Sequence, residues 1–148
     1  MKNKTLAAWL AFAGGPLGLH RFYLHGMGDL LGWFLPIPTA LGLYGIQRIE
    51  QFGVDDPVSW ILVPLLGFTV AACCLTAIVF GLMTREKWNA RYNASQGGDA
   101  APGATSWFTI AAVVVSLLVG TTVLMSSIAF SFQRFFEYQI EEGRRISQ

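Results

Sequence analysis

Hydrophobic residues gather in four stretches of the chain that contain no Asp, Glu, Lys or Arg. The stretches cover residues 5–19, 30–47, 57–84 and 100–133, and they are 15, 18, 28 and 34 residues long. An α-helix needs roughly 20 residues to cross a hydrocarbon core of about 30 Å. The pattern therefore predicts an all-α, polytopic membrane protein with four transmembrane helices, in which a short hairpin is followed by two longer spans.

The same pattern divides the chain into five segments. They are a helical hairpin (1–47), a short polar link (48–57), a third transmembrane helix (58–84), a polar interfacial segment with a flexible linker (85–106), and a fourth transmembrane helix with an amphipathic extension (107–148). The linker is predicted from the Gly, Ala and Ser content of residues 96–106. The extension is predicted from Phe132, Phe135, Phe136 and Ile140, which recur at helical spacing among charged residues.

The first two stretches are short for a membrane crossing. At about 1.5 Å per residue they cover only about 23 and 27 Å. Three interpretations follow: the bilayer thins around them, flanking residues reach the interface, or the pair forms a re-entrant hairpin. Pro36 and Pro38 interrupt the second stretch and predict a kink there. Lys2 and Lys4 give the first stretch a basic start, but cleavage after Ala13 would leave a peptide shorter than a usual signal, so we expect the stretch to be retained.

Small residues four positions apart mark the faces on which helices are expected to pack. The steps are Gly14 with Gly18, Gly28 with Gly32, and Ser116 with Gly120. This spacing lets helix backbones approach closely in lipid. Gly and Ala are also simply frequent in membrane helices, which is the plainer interpretation.

Composition agrees with a membrane protein and argues against a nucleic-acid-binding protein and a disulfide-rich protein. The chain is 53% hydrophobic and 13% charged, whereas soluble domains are about a quarter charged. Ten Lys and Arg against nine Asp and Glu give no basic field, so no nucleic-acid partner is expected. Cys73 and Cys74 are adjacent, which predicts neither a disulfide framework nor a metal site.

Few side chains suggest chemistry. His20, His25 and Asp29 are separated by five- and four-residue steps across a turn, which is not a recognised ligand spacing. We therefore predict no catalytic residue, no metal and no cofactor. Trp88 and Tyr92 lie four apart and share a helical face, which predicts interfacial anchors, with a solvated loop as the alternative.

The most distinctive segment is the turn after the first stretch, which reads GGPLGLHRFYL from Gly14 to Leu24. It resembles the TM2 domain family over about residues 2–46: a short helix, a Gly-rich turn, Asp or His followed by Arg-Phe-Tyr-Leu, and a second helix. His25, in place of a frequent glycine, departs from that pattern. The resemblance implies a membrane location and a two-helix hairpin, and by analogy with related animal proteins a cytoplasmic Arg-Phe-Tyr turn. It implies no reaction.

The residues of that turn also suggest a binding surface. A guanidinium near the headgroups can hold phosphate through two hydrogen bonds, and aromatic side chains anchor at the same level. We predict that His20, Arg21, Phe22 and Tyr23 bind a lipid headgroup or a partner membrane protein. The alternative is an anchor that only sets the depth of the hairpin.

These features predict an integral membrane structural or interaction module, with a small-solute, ion or lipid conduit as the alternative function. Membrane lipids are expected partners, together with another membrane protein or a second copy of this chain. With four spans, six Lys and Arg lie on the side of the termini and four on the other. That excess favours cytoplasmic termini in a plasma membrane such as the bacterial inner membrane.

Overall fold

The computed structural model describes residues 1–94 and 103–147, and these residues form helices joined by short connections. The helices are α1 (Lys4–Ala13), a 3-10 turn (Gly15–Leu17), α2 (Leu19–His25), α3 (Leu30–Phe34), α4 (Pro36–Phe52), α5 (Ser59–Leu82), α6 (Arg85–Tyr92) and α7 (Trp107–Ile146). The prediction of an all-α chain is confirmed for the described residues. Most of the predicted linker lies outside them.

Three helices of the described residues are long and apolar enough to cross a membrane. They are α3 and α4 taken together as 23 residues, α5 with 24 residues and α7 with 40 residues. Three such helices are compatible with a multi-pass membrane protein, but the predicted fourth crossing is not confirmed. Helix α1 has only ten residues and covers about 15 Å, half of a hydrocarbon core.

The sequence between Gly14 and Gly18 explains why α1 stops so early. Gly14 leaves the helical region, Pro16 starts a 3-10 turn, and Gly18 ends that turn in the left-handed conformation with φ of 77°. A β-carbon at Gly18 would also lie 2.1 Å from the carbonyl oxygen of Gly32. Only glycine satisfies both conditions, so the chain reverses at this point and continues as α2.

Helices α1 and α2 form a hairpin that enters the bundle and returns to the same end. At its open end the Lys2 ammonium donates to the carbonyl of Leu24, and the Asn3 amide donates to the Tyr23 hydroxyl at 2.7 Å. At its tip, a β-carbon on Gly15 would lie 2.5 Å from Cβ of Cys73, in the middle of α5. We call residues 4–25 the N-terminal hairpin, and the end of the bundle that holds residues 1–4 the proximal end.

The long helices pack through glycine contacts, although not always through the predicted ones. A β-carbon on Gly120 would lie 2.8 Å from Cβ of Cys74, and Ser116 is fully buried beside it on α7. Gly42 and Gly45, which the spacing analysis did not single out, bring α4 against α5. The predicted step from Gly28 is wrong: Gly28 lies in the turn before α3, and a β-carbon there would meet nothing within 4 Å.

Proline has a mild effect in the second stretch. The helical pattern is interrupted at Leu35, whose φ of −61° and ψ of −37° nevertheless remain helical. Pro36 lacks the N–H that would continue the hydrogen-bond ladder. Helices α3 and α4 therefore form one candidate span of 23 residues with a joint between them.

The opposite, distal end of the bundle is fixed by an ion pair. Arg48, near the end of α4, donates to both carboxylate oxygens of Asp56 at 2.8 Å. Asp56 also accepts from the amide and the hydroxyl of Ser59, the first residue of α5. This carboxylate joins two helix ends, because it caps one helix and neutralises a cation on the other.

Candidate functional site at the proximal end

The segment from His20 to Leu24, which was predicted as a turn, is helical and forms most of α2 near the proximal end; two of its side chains are buried and the other three are half-buried. His20 and Leu24 are 4% and 3% exposed. The His20 ring lies 6.2 Å from the Phe80 ring, and Phe22 makes an edge contact with Trp33 at 5.2 Å between centroids. Their burial is structural, because these rings fasten α2 to α5 and to the start of the first crossing.

Arg21 is the charged side chain of the turn, and it has an internal partner. Its Nε donates to Oδ2 of Asp29 at 2.6 Å, while Oδ1 of Asp29 accepts from the amide of Leu31 and caps α3. The hydrogen bond from Arg21 lowers the pKa of Asp29 below its ordinary value. Within the described residues, the two terminal nitrogens of Arg21 have no hydrogen-bond partner. They are the donors of the turn that remain open to a ligand.

The three residues that sequence analysis considered as a cluster are only partly brought together. His25 Nδ1 lies 3.6 Å from Oδ2 of Asp29, whereas His20 turns away toward Phe80. The described residues contain no group of three His, Cys, Asp or Glu side chains placed to hold a metal ion.

A cavity lies beneath the turn, between α2, α3 and α5. Its volume is about 190 Å³, and its lining includes His20, Arg21, Cys73 and Thr76. The Thr76 hydroxyl donates to the carbonyl of Ala72. His20 Nδ1 is buried and has no hydrogen-bond partner in the described structure. A buried polar atom without a partner costs about 1–3 kcal/mol, so this nitrogen is a local cost within the fold, and the open donors near the cavity are those of Arg21.

The predicted anchor Trp88 is corrected by the structure. Trp88 has no exposed surface, and its ring packs against Phe80 and Tyr92 at 5.7 and 4.5 Å between centroids. Its indole N–H donates to the carbonyl of Lys2 at 2.8 Å. Trp88 therefore lies inside the protein, where it binds the N-terminal segment, and Tyr92 stays half-buried beside it.

Asn93 completes this attachment of the N-terminal segment. Its Oδ1 accepts from the backbone amide of Lys2 at 2.7 Å, and its Nδ2 donates to the carbonyl of the same residue at 3.1 Å. Asn93 is 5% exposed. The Asn93 side chain is thus used inside the fold.

The two N-terminal lysines cap helices. The Lys4 ammonium is buried and donates to the carbonyl of Met83 at 2.9 Å and to the Thr105 hydroxyl at 2.6 Å. Lys2 binds the last turn of α2 in the same way. Cations are stabilised at helix C-termini, where carbonyl groups lack partners. Sequence reasoning missed these roles, since the partners lie up to 101 positions away.

Comparisons with protein-family models, with curated proteins and with solved structures find no match to this chain. The resemblance to the TM2 domain family stays a prediction that rests on residues 14–24.

Proposed function

We propose that this protein is an integral membrane interaction module whose first turn binds a lipid headgroup at the cavity beneath α2. A partner membrane protein that presents an acidic group is the other ligand for the same donors. The proposal depends on one observation: Arg21 and His20 line the same cavity, and the terminal nitrogens of Arg21 have no hydrogen-bond partner among the described residues. Phe22 and Tyr23 hold α2 in position around it.

The geometry around Arg21 suits a phosphate. Asp29 engages Nε and fixes the plane of the guanidinium, which leaves the two terminal nitrogens as paired donors. Paired donors of this kind fit two oxygens of a phosphate, which a lysine cannot imitate. A ligand bound in this way would be held by α2, α3 and α5 together.

We further propose three membrane crossings preceded by a re-entrant hairpin. Both ends of the N-terminal hairpin lie at the proximal end, and its tip reaches Cys73, ten residues from Met83. The proximal end then carries six cations (Lys2, Lys4, Arg21, Arg85, Lys87 and Arg91), and the distal end carries four (Arg48, Arg134, Arg144 and Arg145). This excess favours a cytoplasmic proximal end, so the two chain termini lie on opposite sides instead of both in the cytoplasm.

Single cysteines in a background with Cys73→Ser and Cys74→Ser test this topology. The three positions are a cysteine added after Met1, Glu86→Cys and Gly143→Cys, each labelled with a membrane-impermeant thiol reagent in sealed vesicles. We expect the first two to share one side and the third to label from the other. If the first and third share a side, the chain has an even number of crossings and the re-entrant hairpin is wrong.

Three variants test the binding site. Arg21→Lys keeps a positive charge but loses the paired donors, so phospholipid retained on the detergent-purified protein should fall about tenfold, the value of one charge-assisted hydrogen bond. Asp29→Asn weakens the contact that fixes the guanidinium plane, so it should lower both thermal stability and lipid retention. Tyr23→Phe should weaken the attachment at Asn3 without affecting retention. Normal lipid retention by Arg21→Lys, at equal membrane abundance, would refute the site.

A conduit is the second candidate, and it is favoured by the tip of the N-terminal hairpin. Irregular backbone at membrane depth occurs where it is buried in protein or lines a water-filled path. Here the 3-10 turn is only partly buried: Gly15 packs on Cys73, and the carbonyl of Pro16 accepts from the Thr39 hydroxyl at 2.8 Å, whereas Leu17 is 54% exposed. Ion flux from vesicles that contain purified protein would favour the conduit over the interaction module.

A further inference from the structure

A second candidate site lies at the proximal end, on the outer side of α6. A groove of about 680 Å³ separates the last turn of α5 from α6. One wall is apolar and consists of Val79, Leu82 and Met83, while Lys87 and Arg91 stand on the other wall. Val79 and Leu82 are 50% and 70% exposed.

The two cations of this groove are free of carboxylate partners in the described structure. Neither Lys87 nor Arg91 forms an ion pair with any described residue. They lie four apart on α6, so they share one helical face. The guanidinium of Arg91 rests 5.7 Å from the Tyr92 ring centroid. Two like charges on one face, without an internal counter-ion, favour an anion between them.

The position of these cations is fixed by the buried side chains of α6. Trp88 is completely buried and bonds to Lys2, and the Thr84 hydroxyl caps the helix by accepting from the amide of Lys87. The cationic face is therefore held next to the end of α5 and does not depend on the ligand for its placement.

We propose that this groove binds an anionic phospholipid, with the phosphate between Lys87 and Arg91 and the upper acyl chain along Val79, Leu82 and Met83. A phospholipid fits both walls because α5 is a membrane-crossing helix that ends at Leu82. The apolar wall therefore continues from the hydrocarbon level up to the cations at headgroup level. An acidic peptide would match the charges but would leave the apolar wall uncovered.

This inference is independent of the first-turn site. It shares no side chain with the cavity that contains Arg21, and it requires only that α5 spans the membrane. If Arg21→Lys retains lipid normally, the first-turn site is refuted but the groove beside α6 is not. If the groove beside α6 shows no preference for an anionic phospholipid, the first-turn site is unaffected.

The test is titration of the full-length, detergent-purified protein with phosphatidylglycerol, read by native mass spectrometry, with phosphatidylcholine as the zwitterionic comparison. We expect a preference for phosphatidylglycerol that falls about thirtyfold in the double variant Lys87→Gln with Arg91→Gln, since each cation near an anionic surface contributes about a fivefold gain. Both residues are exposed, so the fold should be retained. A thermal unfolding curve checks this.

The matched control is the double variant Arg144→Gln with Arg145→Gln, which also removes two cations but lies at the far end of α7. It should keep the preference. Equal losses in the two double variants would mean that binding reflects overall charge, and the groove would be wrong. Binding of water-soluble glycerol phosphate as strong as that of phosphatidylglycerol would also overturn the proposal, because the apolar wall would then contribute nothing.

Discussion

Replacing Gly42 by alanine tests whether α4 and α5 pack as closely as the structure requires. A β-carbon at Gly42 would lie 2.3 Å from Cβ of Leu66, 2.9 Å from its Cα and 3.0 Å from its backbone nitrogen. Ordinary contact begins near 3.4 Å, so α4 must withdraw by about 1 Å. Two of these three atoms belong to the α5 backbone and cannot rotate away.

Two opposing effects set the magnitude. Alanine is favoured over glycine inside a helix by up to about 1 kcal/mol, while an extra methyl group in a packed interface costs about 1–3 kcal/mol. The contact involves backbone, so the cost should lie toward the upper end. We expect a net loss of about 1–2 kcal/mol, which raises the unfolding equilibrium constant about fivefold to thirtyfold.

Reversible unfolding in mixed micelles of a mild detergent and dodecyl sulfate measures this free energy. Gly143→Ala is the matched control, because it lies in α7 and a β-carbon there meets nothing within 4 Å. It should be neutral or slightly stabilising. If Gly42→Ala is as stable as the wild type or more stable, the gain in helix propensity exceeds the packing cost of the methyl group. In that case α4 and α5 do not approach as closely in the folded protein as the structure requires.

Three further changes address the attachment of the N-terminus, the depth of the cysteines and the distal ion pair. Trp88→Phe should lose about 1–3 kcal/mol of unfolding free energy, because it removes a buried donor to Lys2; Tyr92→Phe, measured the same way, should change little. Cys73 and Cys74 are 2% and 1% exposed and should resist impermeant maleimide in native membranes; rapid labelling, read by gel shift, would indicate a water-filled path. Arg48 and Ser59 hold the pKa of Asp56 well below its ordinary 3.8, so the ionised Asp56 stabilises the fold above pH 3.8, and this stabilisation is lost as the pH falls toward the lowered pKa. Asp56→Asn should therefore flatten the loss of thermal stability on acidification. An unchanged pH profile in this variant would contradict the role of the ion pair.

Hydropathy alone predicted the long helices because their burial in lipid depends on local composition. The third stretch was expected to form a helix at 58–84, and α5 runs from Ser59 to Leu82. For the first stretch, a charge-free run of 15 residues does not reveal where the chain reverses. The local signal was the run from Gly14 to Gly18, whose spacing was interpreted as a packing face. Gly18 does lie close to the backbone of Gly32, and it also provides a left-handed turn, which the same spacing does not reveal.

Long-range polar contacts escaped sequence reasoning for a different reason. Trp88 is amphipathic and lies in a polar segment, a pattern that is typical of an interfacial anchor. Its partner is the backbone carbonyl of Lys2, 86 positions away, and a carbonyl group carries no sequence signal. Lys4 was missed for the same reason, because its ammonium group donates to the backbone carbonyl of Met83 at the end of α5. Without this donor, that carbonyl group would lack its side-chain partner at the helix end.

The segment around Arg21 shows how a missed polar contact changes the interpretation of a candidate binding residue. Sequence reasoning assigned Arg21 to an external ligand and considered Asp29 only together with His20 and His25, so it did not anticipate that Arg21 and Asp29 form a pair. In the fold, Asp29 caps α3 and binds Nε of Arg21 through its other oxygen, so one carboxylate fixes both the helix start and the guanidinium plane. A pairing of this kind lowers the net charge of the turn but orients its remaining donors. Under the proposed function, the paired donors of Arg21 would favour a ligand with two oxygens in a defined geometry. Attraction between net charges alone would not distinguish this site from other cations.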